Sequence, residues 1–184
     1  MDLARLRPNT FASVTTALSR EALWEVVSNP LLLPELSSEL QSVRLISSEP
    51  LALGSRFEGD QLRGERRWTT VSTITGFEPF QFFEWTVGDL AIPVSTWSFL
   101  LDANTAGTTV THTVTLCGGP SPLTDFIALH PLDAERLVQE RLDSLRERMA
   151  ATVAGLVELA GSLVEAKVVP EHHSHFGAHD SARD

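Results

Sequence analysis

The chain has no tyrosine and a single cysteine, Cys117. One thiol excludes an internal disulfide framework and every paired-cysteine metal or redox motif. Without tyrosine, its Trp and Phe residues can wall only a pocket poor in phenolic hydrogen-bond partners. Positive charge is scarce: 14 Lys and Arg stand against 24 Asp and Glu, a formal net charge of −10. That balance argues against nucleic acid, whose phosphates demand a basic surplus, and against an anionic membrane surface. No uninterrupted apolar run approaches the roughly 18 residues of a bilayer span, and the first eight residues lack a secretory apolar stretch. A Gly-rich phosphate loop and a Ser nucleophile elbow are also missing. The expectation is a single-domain cytoplasmic protein that does not insert into membranes, uses no cofactor and holds no structural metal.

What the chain does have is one long amphipathic segment near its end. From Asp133 to about Ala166 there is no proline, and Val138, Leu142, Leu145, Met149, Val153, Leu156, Ala160 and Leu163 recur at three- and four-residue steps. That spacing predicts one apolar stripe on one long helix. Ahead of it come strand-like runs. Residues 10–18 read as a strand, followed by a helix over 20–28 with Ser19 as N-cap and Asn29-Pro30 as its stop. A leucine-rich helical segment is expected over 31–40. Six more runs follow, at 42–49, 53–60, 66–76, 80–87, 95–102 and 108–116, separated by turn chemistry such as Asn104-Thr105-Ala106-Gly107. Short connections imply antiparallel pairing. The predicted class is α+β: an antiparallel sheet of about seven strands curved around one C-terminal helix, with two short helices after the first strand. Residues 1–9 form an arm, 10–166 the domain, and 167–184 a His-rich tail expected to be disordered.

Strand parity predicts which side chains face the helix. Phe57 and Gly59 share a face, as do Trp68, Thr70, Ser72 and Ile74. So do Phe83, Trp85 and Val87, then Trp97, Phe99 and Leu101, and finally Val110, His112, Val114 and Leu116. These sets are the more apolar on their strands. Three Trp residues opposite one long helix can wall a hollow rather than fill it. The expected ligand-lining set is Phe57, Trp68, Thr70, Ser72, Phe83, Trp85, Trp97, Phe99, Val110 and His112 from the sheet, with Leu142, Leu145 and Met149 from the helix.

His112 is the one ionisable group that parity points inward. It is expected to titrate near neutrality and either to orient a ligand or to serve as a general base; a hydrogen-bonded pocket histidine is the default. Arg63, Arg66 and Arg67, interrupted by Glu65, read as a solvated hairpin rather than an anion site. Glu84 reads as a solvated carboxylate, and Glu58 and Asp60 as part of an exposed polar ladder. Cys117 has no activating motif. His172, His173, His175 and His179 follow no structural zinc spacing.

The ordered set Ala22-Leu23-Trp24-Glu25-Val26-Val27-Ser28-Asn29-Pro30, Leu33-Pro34-Glu35-Leu36, Gly54-Ser55-Arg56-Phe57, Arg67-Trp68-Thr69-Thr70, Gly76-Phe77-Glu78-Pro79, Pro93 to Phe99 and Gly107 to Thr111 resembles the SRPBCC superfamily of helix-grip proteins. That superfamily includes START-related lipid-transfer domains, birch-pollen-allergen-like proteins and bacterial polyketide cyclase/dehydrase-like proteins. The resemblance spans about residues 10–165. It implies a cavity that binds or carries a small hydrophobic molecule (a lipid, polyketide or aromatic compound), in a monomer or homodimer. It permits a polyketide cyclase or aromatase activity assisted by His112, or a protein-interaction role. Two positions depart from relatives: Leu36 stands where many carry Trp, and His112 where an acid is frequent, so the role of that acid does not transfer.

Overall fold

A computed structural model describes residues 1–168; the expected disorder of the His-rich tail falls largely outside them. Seven strands, β1 (Asn9–Thr16), β2 (Leu40–Leu45), β3 (Arg56–Arg63), β4 (Arg66–Glu78), β5 (Phe82–Val87), β6 (Ser95–Asn104) and β7 (Gly107–Leu116), form one antiparallel sheet in the order β1-β7-β6-β5-β4-β3-β2. Five helices accompany it: α1 (Leu3–Leu6), α2 (Arg20–Val27), α3 (Leu33–Leu36), α4 (Pro122–Leu129) and α5 (Ala134–Val168).

Local chemistry places these elements. Ser19 caps α2 by accepting from the Ala22 N–H, which satisfies one of the helix's orphan donors. The helix expected over 31–40 is shorter: a 3₁₀ turn at Pro30–Leu32 leads into the single turn of α3. There Ser37 becomes extended, and its Oγ accepts the Glu39 and Leu40 N–H groups, turning the chain into β2. Helix α4 has no counterpart in the sequence reading. Its signals are present nonetheless: a Ser121/Thr124 capping box and Pro122 in the first turn.

The sheet bends where β4 meets β5. Pairing slips between Ile74 and Gly76, and a Cβ on Gly76 would come within 2.9 Å of the Glu84 Cβ and closer still to the Phe82 ring. Only glycine fits that bulge, and a bulge increases local twist and bend.

Helix α5, about 50 Å long at 1.5 Å per residue, crosses the concave face. By length and composition the span Pro131–Lys167 is apolar enough to cross a bilayer, although charged residues interrupt it; its apolar stripe is packed against the rest of the chain. The stripe divides in two. Val153, Leu156 and Ala160 join Leu23, Val26, Phe83, Phe99 and Val110 in one cluster, all at 3 % exposure or less. Val138, Leu142, Leu145 and Met149 join Val114, Leu116, Ile127 and Leu3 in another. Each fully buried large side chain is worth about 1.5–3 kcal/mol. The α2 contacts fasten the C-terminal half of α5, while the N-terminal half packs on α1, β7 and α4 and also borders open space.

Candidate ligand cavity

Under that N-terminal half lies a cavity of about 630 Å³. Its aromatic wall comes from adjacent strands. Trp85 and Trp97 are register partners and stack with centroids 6.3 Å apart at 7°. Phe57 packs on Trp85 from β3, and the Trp97 indole N–H donates to Ser95 Oγ at 3.0 Å. Trp68, Thr70 and Ser72 continue the wall along β4, and Leu145, Met149 and Thr152 roof it from α5. Thr152 is itself tied down, its hydroxyl donating to the Leu36 carbonyl at 3.0 Å.

Of the residues read as lining the hollow, Phe57, Trp68, Thr70, Ser72, Trp85, Trp97, His112, Leu145 and Met149 stand on the cavity wall. Phe83, Phe99, Val110 and Leu142 do not. The first three point to the correct side of the sheet, but they lie in the sealed cluster beneath α2 and the C-terminal half of α5, each fully buried. Leu142 packs in the other cluster, beside Val138. Parity identifies the face; it does not tell where along that face packing stops and space begins.

His112 is buried and its Nδ1 lies 3.0 Å from the Ser98 carbonyl. A carbonyl only accepts, so Nδ1 carries the proton and Nε2 presents a lone pair. No other hydrogen bond is made by the ring among the described residues, and His112 lines the cavity. Burial pushes its pKa down to about 4, with the Ser98 bond opposing weakly. Titration near neutrality, the sequence expectation, is therefore corrected: an apolar surround of Trp85, Trp97 and Phe99 disfavours the cation. His112 thus presents a neutral, fixed acceptor atom at the cavity wall.

The opposite end of the cavity is charged, and the sequence reading missed it. Glu39, in the turn before β2, accepts from Arg148 and lies 3.6 Å from Arg141 and 4.0 Å from Arg63 through the same Oε1. Arg148 Nη2 also donates to Ser144 Oγ at 2.8 Å. Burial lowers the Arg141 pKa from its usual value, with Glu39 opposing the shift and Arg148 and Arg63 adding to it. Arg63 and Arg66, expected on a solvated hairpin, lie on this rim. The signal was available: Leu137, Arg141, Ser144, Arg148 and Thr152 recur at three- and four-residue steps, a second stripe beside the apolar one.

Other candidates sit elsewhere. Glu84 accepts from Thr75 Oγ1 at 2.9 Å. Asp60 accepts from Ser42 and Thr69, and Glu58 pairs with Arg44 at 2.9 Å. Cys117 is buried, within 3.6 Å of Thr96 Oγ1. Among the described residues no His, Cys, Asp or Glu cluster is able to hold a metal, and His172, His173, His175 and His179 lie outside them.

An antiparallel sheet wrapped on one long helix, with a hollow between them, defines a helix-grip protein with a ligand cavity. A family model described as "Polyketide cyclase / dehydrase and lipid transport" matches residues 9–150. The chain belongs to that family. No curated protein matches the sequence. Among solved structures, the chain is similar to the Polyketide_cyc-like protein Cgl2372 from Corynebacterium glutamicum, with TM-score 0.58 and 21 % identity over 92 % of this chain and 97 % of that one. It is also similar to the Zhui aromatase/cyclase from Streptomyces sp. R1128, with TM-score 0.59 and 12 % identity over 89 % and 99 %. A third is the di-domain ARO/CYC StfQ from the steffimycin biosynthetic pathway, with TM-score 0.60 and 15 % identity over 86 % and 51 %. At these identities the likeness concerns the fold.

Proposed function

We propose that this protein binds and carries a small, largely apolar molecule, a lipid, polyketide or aromatic compound, between the sheet and the N-terminal half of α5. The observation that carries the reading is the cavity of about 630 Å³ walled by the stacked Trp85 and Trp97 rings. Its size falls within the roughly 300–1,000 Å³ of small-molecule sites, and so does its make-up of apolar surface with few polar points. The lone buried Cys117 fits a reducing, cytoplasmic setting.

A cyclase or aromatase activity in the same cavity would require a base. His112 is the inward-facing candidate, but with a pKa near 4 it is a poor proton acceptor at neutral pH. Binding without turnover is the better-supported use of this geometry. Native mass spectrometry of protein purified from its own host tests it. A co-purified organic molecule, displaced in Trp97→Ala, is the expected result. Empty protein that also fails to take up any apolar fluorescent dye would overturn the reading.

A further inference from the structure

The charged end of the cavity carries an imbalance. Four arginines (Arg63, Arg66, Arg141 and Arg148) and two glutamates (Glu39 and Glu140) line it, a surplus of two positive charges in a chain whose net charge is −10. Glu140 is already engaged by Arg136 at 2.7 Å. Glu39 is thus the common counter-ion for three guanidinium groups, and all three reach the same oxygen. Each guanidinium offers five N–H donors and no acceptor. Arg148 spends two of its donors on Glu39 and Ser144. Arg141 is less well served: its buried Nη1 faces Glu39 Oε1 at 3.6 Å, an ion pair too long for a hydrogen bond. Its side chain keeps 22 % of its exposure where it meets the cavity. Buried polar groups in native structures are ordinarily paired, so a guanidinium whose one counter-ion oxygen lies 3.6 Å away and is shared with two other arginines is short of acceptors at the cavity wall.

We propose that the ligand carries a compact oxyanion, a carboxylate or a phosphate, received by Arg141 with Arg148 and Arg63, while its apolar body lies along Trp85 and Trp97. This rests on the ligand-carrying reading and names the chemistry of that ligand. Guanidinium forks bind planar or tetrahedral oxyanions through paired N–H donors, and such bonds strengthen away from bulk water. The anionic head would share the arginines with Glu39, and the positive rim would draw it in against the acidic surface of the rest of the chain.

The test compares three probes with one tail: decanoate, decyl phosphate and decanol, titrated against the intact protein by quenching of Trp fluorescence. The expected result is that at least one anion binds roughly tenfold or more tightly than decanol. That advantage should shrink as salt rises from about 50 mM to about 500 mM. Whichever anion gains more identifies the head group. Arg141→Gln should remove the advantage of the anions over decanol, while Arg141→Lys should retain part of it. Because the wild-type comparison needs no variant, misfolding of a substituted protein leaves the test intact. Decanol binding as tightly as both anions overturns the oxyanion proposal alone, and the carrier reading stands. Failure of all three probes to bind overturns both.

Discussion

Phe99 and His112 are register partners across β6 and β7, and their rings lie face to face with centroids 4.1 Å apart at 13°. A ring so enclosed cannot keep a hydration shell, so the imidazole stays neutral. The surrounding ring faces would attract a cation, but the loss of solvation is the larger effect and sets the direction of the shift.

The first prediction is a pH dependence of stability. The folded pKa, about 4, lies below the ordinary value of 6.5. Between these limits the unfolded chain holds more protons than the folded one, so stability rises with pH through that window and falls on acidification. The full difference amounts to about 3 kcal/mol, at 1.36 kcal/mol per unit, most of it lost between pH 6.5 and 4. Denaturant melts of wild type and His112→Gln across that window provide the check. The variant should show a flatter slope, and parallel slopes would show that another group controls it.

The two ends of the concave face should respond differently to substitution. Phe83→Leu alters the buried cluster and should lower stability by about 1–2 kcal/mol; because Phe83 packs on the cavity-wall Trp85 with centroids 5.7 Å apart, affinity for an apolar dye should also fall, but by less than in the next variant. Trp97→Ala removes half of the stacked pair on the cavity wall and should weaken dye binding by roughly tenfold. Calorimetric titration together with chemical denaturation separates the two effects.

Glu39→Gln leaves Arg63, Arg141 and Arg148 facing one another without their shared carboxylate. The side chain is 14 % exposed, so the penalty should approach that of a broken buried pair, about 1–3 kcal/mol at low salt. Added salt should recover part of it by screening the repulsion. Thermal melts at two ionic strengths measure this; a melting temperature unchanged by the substitution would contradict the arrangement.

Hydrogen exchange should grade along α5. Amides near Val153, Leu156 and Ala160, in the solid cluster, should be slowest. Those near Leu137 to Leu145, above the cavity, should open at lower free energy. A bound ligand should slow the second group more than the first.

Much of this architecture was legible in the chain. The spacing of Val138 to Leu163 gave the long helix, and alternation along β4 to β7 gave the inward sets, because periods of 3.6 and 2 are imposed by backbone geometry. Two things were not. Where the hollow begins depends on α2 and α5 meeting over Phe83 and Phe99, a contact between residues far apart in sequence. The charged end was missed because Glu39, Arg63, Arg141 and Arg148 lie far apart in the chain; only the fold brings them around one oxygen. Helix α4 was missed although Ser121-Pro122 and Thr124 announce it, since eight residues are too few to show a helical period.

Helix α5 lies in a closed cluster at one end and borders the hollow at the other, and this carries an evolutionary consequence. Substitutions at Leu137, Arg141, Ser144 or Arg148 change what the hollow accepts, while the contacts of Leu156 and Ala160 that keep the chain folded stay untouched. A single rod thus allows the surface around the hollow to change at one end without eroding foldability at the other.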